Sequence, residues 1–211
     1  MSWSRKTRRG RGYHHGNLRE ALIEAALALI AEKGPAGFSF AEAARAAGVT
    51  PAAPYRHFRD RDALMADVAI RGFETLTSRL EAAWDDGRPE PVAALGALGR
   101  AYLQFSQDAP AYYVAMFESQ LPPGAYPELA RAGDAAFAIV RRAAEAAAAT
   151  LPAERRPPAL MVALHMWSMA HGIASLFARG DQARRPLPMS PEALLEAATL
   201  IYIQGLDGGE D

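Results

Sequence analysis

Apolar residues recur at helical spacing along most of this 211-residue chain, and prolines and glycines mark the breaks between segments. The first regular segment, NLREALIEAALALIAEKG, keeps its apolar residues on one face of a helix. Asn17 precedes the helix, and Glu20 follows three residues later, which is the spacing of a capping box. Because Gly34 and Pro35 come next, the pattern predicts that this helix ends before them.

Two short segments follow, and both begin with a good helix-capping residue. Ser39 is the expected N-cap of a second helix, with Glu42 at the reciprocal position of its capping box, and the segment FAEAARAAG stops at Gly48. Thr50 is the expected N-cap of a third helix, TPAAPYRHF. Two short helices joined by a glycine turn indicate a helix-turn-helix. The predicted core of this unit consists of Leu22, Ala26, Leu29, Phe40, Ala43, Ala44, Val49 and Phe58.

Two prolines lie within the third short helix. Pro51 falls on the first helical position, where its missing N–H costs nothing. Pro54 falls on the fourth, where it forfeits the hydrogen bond to the Thr50 carbonyl and crowds that oxygen. We therefore expect a loosened or 3₁₀-like first turn and a very short helix. The alternative is that residues 50–58 form only a turn between structural helices.

Helical spacing continues beyond this unit, and Asp60 is the expected cap of the next helix. The predicted helices cover residues 61–84, 91–107, 110–119, 127–149, 157–178 and 191–205. No segment alternates apolar and polar residues with a period of two, so the sequence predicts an all-α fold. We expect a disordered basic arm at residues 1–16, a helix-turn-helix domain at 17–62 and a helical body at 63–211.

Charge is distributed unevenly along the chain. Residues 1–80 carry 13 basic and 8 acidic side chains, a net charge of +5, whereas residues 81–211 carry 10 and 16, a net charge of −6. The first 19 residues hold six basic side chains and no acidic one. A basic N-terminal part suggests that this end meets a polyanion. A solvated tail remains the alternative interpretation.

Composition disfavours several other classes of protein. The chain has no cysteine, so it offers no disulfide, thiolate nucleophile or cysteine-based zinc site. The basic N-terminus lacks a following apolar stretch, so we do not expect a signal peptide. We also expect no membrane span, because no run of about 18 apolar residues is evident. These features favour a cytoplasmic protein.

A helical enzyme is the first rival interpretation. The sequence contains no HExxH, P-loop or GxSxG motif, and its His and Asp residues are dispersed. The adjacent His14 and His15 have no third ligand nearby, so no metal site is expected. We therefore predict neither catalytic activity nor a cofactor.

Residues 13–76 resemble the N-terminal domain of the TetR family of transcriptional regulators. The matching features are a helix ending in EKG, the helix start at Ser39, and the strings AARAAGVT, YRHF and RDALMADV. One departure is Pro54, since many members have an aliphatic residue there. A weaker match is WSMAHG at residues 167–172, which is similar to the Trp…His-Gly signature of one C-terminal-domain subfamily.

The resemblance implies a homodimer that binds double-stranded operator DNA. It implies phosphate contacts from Tyr55 and His57, and we expect Ser39 and Arg61 to meet phosphates at the starts of their helices. The candidate base-reading residues are Thr50, Ala52, Ala53 and Arg56. The basic arm, with Arg8, Arg9 and Arg11, is expected to reach the minor groove.

For the body, the resemblance implies a cavity for a small apolar or aromatic effector, although plain core packing is the alternative. The candidate lining residues are Tyr102, Phe105, Tyr113, Phe117, Trp167 and His171. We expect helices 157–178 and 191–205 to pair with their two-fold mates in a four-helix bundle, with Gly172 allowing close approach. The expected stripe on the last helix is Leu194, Leu195, Ala198, Ile201 and Tyr202.

These expectations combine into a hypothesis for regulation. A ligand in the cavity would tilt helix 61–84, change the separation of the two reading segments and lower operator affinity. The protein would then act as a repressor. The second rival is a helical small-molecule carrier or interaction module with weakened DNA binding, which Pro54 and the alanines at reading positions keep open.

Overall fold

The computed structural model of the protein describes residues 18–122, 124–178 and 188–207. Within these ranges the chain forms α-helices and short 3₁₀ helices, and no residue lies in a strand. The α-helices are α1 (Leu18–Lys33), α2 (Phe40–Ala46), α3 (Arg61–Trp84), α4 (Pro91–Asp108), α5 (Pro110–Phe117), α6 (Pro127–Ala149), α7 (Ala159–Ala178) and α8 (Pro191–Asp207). The 3₁₀ helices are Ala53–Arg56, Asp85–Gly87 and Ala153–Arg155. The predicted all-α fold is confirmed.

The starts of α2 and α3 follow their predicted caps. The Ser39 hydroxyl accepts the Glu42 N–H at 3.2 Å, and the Glu42 carboxylate accepts the Ser39 N–H at 2.8 Å. Asp60 accepts the Ala63 N–H at 2.8 Å and starts α3. The predicted cap Asn17 lies outside the described residues, as does the predicted arm.

Helix ends differ from the predictions by a few residues. α7 begins at Ala159 rather than at 157, because the Pro158 carbonyl accepts the N–H groups of Met161 and Val162 as the first intrahelical bonds. α5 ends at Phe117, two residues before the predicted end, and the Glu118 N–H closes its last turn on Val114.

We call residues 18–60 the head and α4–α8 the body. The head packs around a small core in which the predicted residues are buried, except Val49, which is half-buried. Phe38, Leu64 and Ile23 complete this core. α3 continues from the head into the body without a break and packs against α1, α4, α5 and α6. The predicted domain boundary at residue 62 therefore falls within a single helix and stays a prediction.

α5 and α3 approach each other closely at Gly72. A Cβ atom at this position would lie 2.6 Å from the Met116 sulfur and 3.3 Å from the Tyr112 Cβ. A methyl group fits there only if the Met116 side chain moves and Tyr112 gives way by a few tenths of an ångström. α5 also packs against α1 and α4, so this short helix contacts the head, α3 and a neighbouring helix of the body at once.

α7 carries more exposed apolar surface than a core helix would. The segment 159–177 is long and apolar enough to cross a membrane, judged by length and composition alone, and its mean hydropathy is 1.4. In this structure 33% of its residues are buried. The stretch has no charged residue, but His165, Ser168, His171 and Ser175 interrupt it, so it is not an unbroken apolar run. The exposed apolar side chains on α7 include Leu160, Met161, Leu164 and Leu176.

Candidate functional site

The segment predicted to read DNA is a single 3₁₀ turn and not an α-helix. The Thr50 carbonyl accepts the Ala53 N–H at 3.0 Å, and the Pro54 carbonyl accepts the N–H groups of His57 and Phe58. Pro54 is the second residue of the turn, so the expected 3₁₀ geometry is confirmed. The prediction that Thr50 caps this helix was wrong, since Ala52 takes the cap position without a side-chain hydrogen bond.

The sequence explains why the turn stays short. Pro54 cannot donate the N–H that an α-helix would direct to Thr50, and Asp60 already starts α3 six residues later. The proline ring is itself buried, and Phe58 is 5% exposed, so both anchor the turn to the head. The Tyr55 ring meets the Phe40 ring edge-on, with centroids 5.0 Å apart. We call residues 50–57 the reading turn.

The reading turn presents most of its predicted DNA-contacting side chains to solvent. Tyr55 is 62% exposed despite its contact with Phe40. The other exposed members are Thr50, Ala52, Arg56 and His57, whereas Ala53 is half-buried. A cationic, aromatic and small-residue surface of this kind suits phosphate and thymine-methyl contacts. The contacts themselves stay predictions.

Two other predicted phosphate contacts are already engaged within the protein. The Ser39 N–H and hydroxyl both donate to Glu42, at 2.8 and 2.9 Å. The Arg61 guanidinium donates to the Phe38 carbonyl at 2.9 Å and lies 4.7 Å from the centre of the Phe38 ring. One guanidinium nitrogen of Arg61, Nη2, is buried and has no hydrogen-bond partner among the described residues. Phosphate binding at either residue therefore requires rearrangement.

Arg59 is a candidate that sequence reasoning missed. Its side chain is 72% exposed and directly follows the buried Phe58. The guanidinium bonds to Asp60 at 2.9 Å and to the Tyr126 hydroxyl at 3.3 Å. In the sequence, the signal for this candidate was a basic residue between the apolar Phe58 and Asp60, the cap of α3.

The Glu42 carboxylate ties α2 to α1 as well as capping α2. Lys33 donates to it at 2.9 Å. This ammonium group, together with the N–H and hydroxyl of Ser39, lowers the pKa of the Glu42 carboxyl to about 2. The charged form is therefore the one that stabilises the head.

This arrangement predicts that the stability of the head depends on pH. The variant Glu42→Gln tests this, because glutamine keeps a capping acceptor but has no charge. In the folded protein the pKa of Glu42 is about 2, below its ordinary value of 4.5. The contribution of the carboxylate to the free energy of unfolding is therefore complete above about pH 4.5 and is lost as the pH falls through 2. We expect thermal unfolding to show a higher midpoint for the wild type at pH 6 and a much smaller difference near pH 2. A constant difference over this range would contradict the assignment.

Five of the six predicted effector-contacting residues meet in one place in the body. We call Tyr102, Tyr113, Phe117, Trp167 and His171 the aromatic cluster. The Tyr102 ring lies 5.2 Å from Trp167, and the Phe117 ring lies 4.7 Å from His171, between centroids. Phe105 does not join them; it is fully buried, with the Arg79 guanidinium 5.7 Å from its ring centre.

Polar atoms converge on His171 inside this cluster. Its Nδ1 atom lies 2.8 Å from the Tyr102 hydroxyl and 3.2 Å from the Tyr113 hydroxyl. Burial lowers the pKa of His171 and raises the pKa of Tyr102. A neutral imidazole and two hydroxyls can bind one polar group of a ligand while the surrounding rings contact its apolar part.

The space beside the aromatic cluster is nearly closed. The cavity that Tyr102 and Trp167 line has a volume of about 10 Å³, at most the room of one water molecule. The expected effector cavity is thus filled by side chains in this structure. No group of three or more His, Asp or Glu residues that could hold a metal lies in the described ranges.

A small head with an exposed basic turn on a helical body defines a DNA-binding regulator of the helix-turn-helix class. Two family models identify the family. The model of bacterial regulatory proteins, tetR family, matches residues 22–68, and the model of the tetracyclin repressor-like C-terminal domain matches residues 95–200. The chain belongs to the TetR family. The subfamily suggested by the string WSMAHG stays a prediction.

Solved structures share this fold. A protein of unknown function from Rhodococcus sp. RHA1 is 32% identical, with a TM-score of 0.77 over 93% of this chain and 98% of that one. The TetR-family transcriptional regulator PfmR from Thermus thermophilus is 22% identical, with a TM-score of 0.63 over 90% and 99%. A regulatory protein in the tetR family from Rhodococcus RHA1 is 17% identical, with a TM-score of 0.69 over 90% and 97%. Among curated proteins, none matches this chain.

Regulators of the TetR family are soluble cytoplasmic DNA-binding proteins and are generally not enzymes. The sequence-based expectation of a DNA-binding regulator is thereby confirmed at the level of the family. The more detailed expectations concern the operator, the dimer and the effector.

Proposed function

We propose that this protein is a cytoplasmic repressor that binds a palindromic operator as a homodimer and releases it when a small molecule binds. The observation that carries the proposal is the exposed reading turn. In the described part of the chain, no side-chain hydrogen bond or ion pair engages Arg56 or His57. These side chains are available for DNA, and two copies would enter successive major grooves about 34–36 Å apart.

The exposed apolar faces of α7 and α8 support the homodimer. Leu164 on α7 is 48% exposed, and Leu200 and Ile201 on α8 are 55% and 69% exposed. A Cβ atom at Gly172 would meet no heavy atom within 4 Å, which leaves room for a partner helix. A partner copy would bury these side chains in a four-helix bundle. The two reading turns would then be related by a two-fold axis.

The predicted stripe on the last helix needs one correction. Leu195 is 2% exposed and packs within its own chain, where its Cδ2 atom would lie 3.0 Å from a Cβ at Gly99. The dimer-facing residues that we propose for α8 are therefore Leu200 and Ile201. The spacing of the stripe alone could not separate the face towards the body from the face towards a partner.

The aromatic cluster is the effector site that we propose, for a small apolar or aromatic molecule with one polar group. Because the cluster is nearly closed, a ligand has to displace Phe117 or Trp167, which are half-buried. Tyr113 and Phe117 lie on α5, and α5 packs against Gly72 of α3. Displacement of α5 would therefore move α3 and with it the reading turn. Release follows only if the effector prefers the displaced state.

A carrier or interaction module with weakened DNA binding is the second candidate. It is favoured by the small side chains of Ala52 and Ala53 and by the Arg61 guanidinium, which lies on Phe38 instead of in solvent. The two candidates differ in salt dependence. Specific operator binding weakens steeply with salt because phosphate contacts release counterions, whereas a carrier shows no specific footprint.

The test is to select bound fragments from the source genome and to compare the wild type with Arg56→Ala. A guanine contact predicts a loss of about 1–3 kcal/mol in operator binding and relaxed specificity at one base pair. A phosphate contact predicts a uniform loss and a salt slope smaller by about 1. Arg88→Ala, an exposed arginine paired with Asp85, is the matched control and should change neither. If no fragment is enriched, or if Arg56→Ala binds like the wild type, the proposal is wrong.

A further inference from the structure

A second cavity lies in the body, away from both the reading turn and the aromatic cluster. It has a volume of about 330 Å³, which falls within the range of about 300–1,000 Å³ that is typical of small-molecule sites. It lies near the end of α3 that is remote from the head, since Glu90 and Val92 at the start of α4 line it. None of its lining residues belongs to the aromatic cluster.

The walls of this cavity are mostly apolar and come from several helices of the body. The apolar residues include Val92 and Leu95 from α4, Ala147 and Ala148 from α6, Val162 from α7 and Ile203 from α8. A ligand here would contact four helices at once. Burial of its apolar surface would supply most of the binding free energy.

The Tyr202 side chain gives the cavity an unsatisfied polar group. Tyr202 lines the cavity, and its hydroxyl is buried without a hydrogen-bond partner among the described residues. Its ring packs edge-on against His165, with centroids 5.1 Å apart. A buried hydroxyl without a partner is destabilising, so a ligand atom that bonds to it once the Tyr202 side chain turns towards the cavity would recover this free energy.

The cavity also has a charge preference. Glu90 is the one charged residue among those that line it. Its Oε1 atom accepts the Ala93 N–H at 2.8 Å, which leaves the second carboxylate oxygen for another donor. The C-terminal end of α6, whose partial charge is negative, lies at the same wall. Arg156 bonds to the carbonyls of Ala149 and Leu151 but does not line the cavity.

We propose that this cavity is a binding site for a small organic cation, an ammonium group on an apolar or aromatic body. The ammonium group pairs with Glu90, and a second polar atom of the ligand bonds to the Tyr202 hydroxyl. This site is separate from the effector site proposed above and does not depend on DNA binding. Occupancy ties α4, α6, α7 and α8 together and stabilises the body by mass action.

Calorimetric titrations of the full chain with three probes of similar size can distinguish the contact with Glu90 from the contact with the Tyr202 hydroxyl. Tyramine carries both the ammonium group and a phenol, tyrosol replaces the ammonium group by a hydroxyl, and phenethylamine lacks the phenol. We expect tyramine to bind once per chain and more tightly than the other two. Absence of saturable tyramine binding, or equal affinity for tyramine and tyrosol, would overturn the proposal.

Variants assign the contacts to residues. Glu90→Gln keeps the cap acceptor and should weaken tyramine binding about two- to fivefold, as for a part-exposed ion pair, without affecting tyrosol. Tyr202→Phe should weaken tyramine binding about two- to tenfold and leave phenethylamine unchanged. Ala148→Leu fills the cavity and should abolish binding, whereas Ala135→Leu, at an exposed position of the same helix, should not. Binding that survives Ala148→Leu would place the ligand elsewhere.

A measurement without ligand checks the unsatisfied hydroxyl and the fold of the variant. Because the Tyr202 hydroxyl has no described partner, its removal in Tyr202→Phe should leave the thermal unfolding midpoint unchanged or raise it. A lower midpoint would show that the hydroxyl already has a partner in solution and would remove this part of the argument for a ligand.

Discussion

Leu164→Glu should convert the protein into monomers that no longer hold the operator. Leu164 lies in the middle of the exposed apolar face of α7 and is 48% exposed in the single chain. In the proposed two-fold bundle each of the two copies contributes one Leu164, and both side chains would be buried. An uncompensated buried carboxylate costs about 3–5 kcal/mol, so the dimer dissociation constant should rise by a factor of at least about 100.

Sedimentation velocity over a range of concentrations measures this change, and operator titration under the same conditions measures its consequence. Ala135→Glu is the matched control, because it adds one acidic residue to an exposed position of α6 outside the apolar face. It should remain dimeric and bind the operator like the wild type. A Leu164→Glu protein that stays dimeric would move the interface to another surface.

Phe58→Ala should unfold the head and abolish operator binding. Phe58 is 5% exposed, its ring belongs to the core of the head, and its N–H closes the reading turn on Pro54 at 3.0 Å. Loss of a buried phenylalanine costs about 3–5 kcal/mol, which is a large part of the stability of a small domain. The Arg19 guanidinium, 5.7 Å from the ring centre, would lose its contact as well.

Hydrogen exchange can locate this loss. We expect amide protection to fall in α1 and α2 and to persist in α6, which packs against α3, α4 and α7. His57→Ala, at the exposed neighbouring position, should change the free energy of unfolding by no more than about 0.5 kcal/mol. Full protection of α1 and α2 in Phe58→Ala would mean that the reading turn does not depend on this anchor.

The features that sequence predicted well are those fixed by neighbouring residues. The Ser39–Glu42 capping box and the Asp60 cap depend on a spacing of three residues, and both are present. The 3₁₀ geometry at Pro54 follows from its missing N–H. The prediction failed at Thr50, because the Thr50 carbonyl, and not its side chain, accepts the Ala53 N–H, and the 3₁₀ helix begins only after Ala52.

Features that depend on distant residues could not be predicted in the same way. Phe38 lies 23 residues before Arg61, and nothing in either local pattern indicates that the guanidinium bonds to the Phe38 carbonyl. Phe105 was grouped with Tyr102 by residue type, but it lies almost one turn further along α4, where its ring meets the Arg79 guanidinium instead of the cluster. The closure of the aromatic cluster depends on how side chains from α4, α5 and α7 fill a common space.

The uninterrupted course of α3 makes it a lever arm. Its 24 residues correspond to a rod of about 36 Å, with the reading turn attached at one tip and the second cavity near the other. A rotation of only about 5° around the distal tip would carry the proximal tip through about 3 Å. That displacement approaches the separation of about 3.4 Å between stacked base pairs, so a small change of angle can shift the turn by about one step of the duplex.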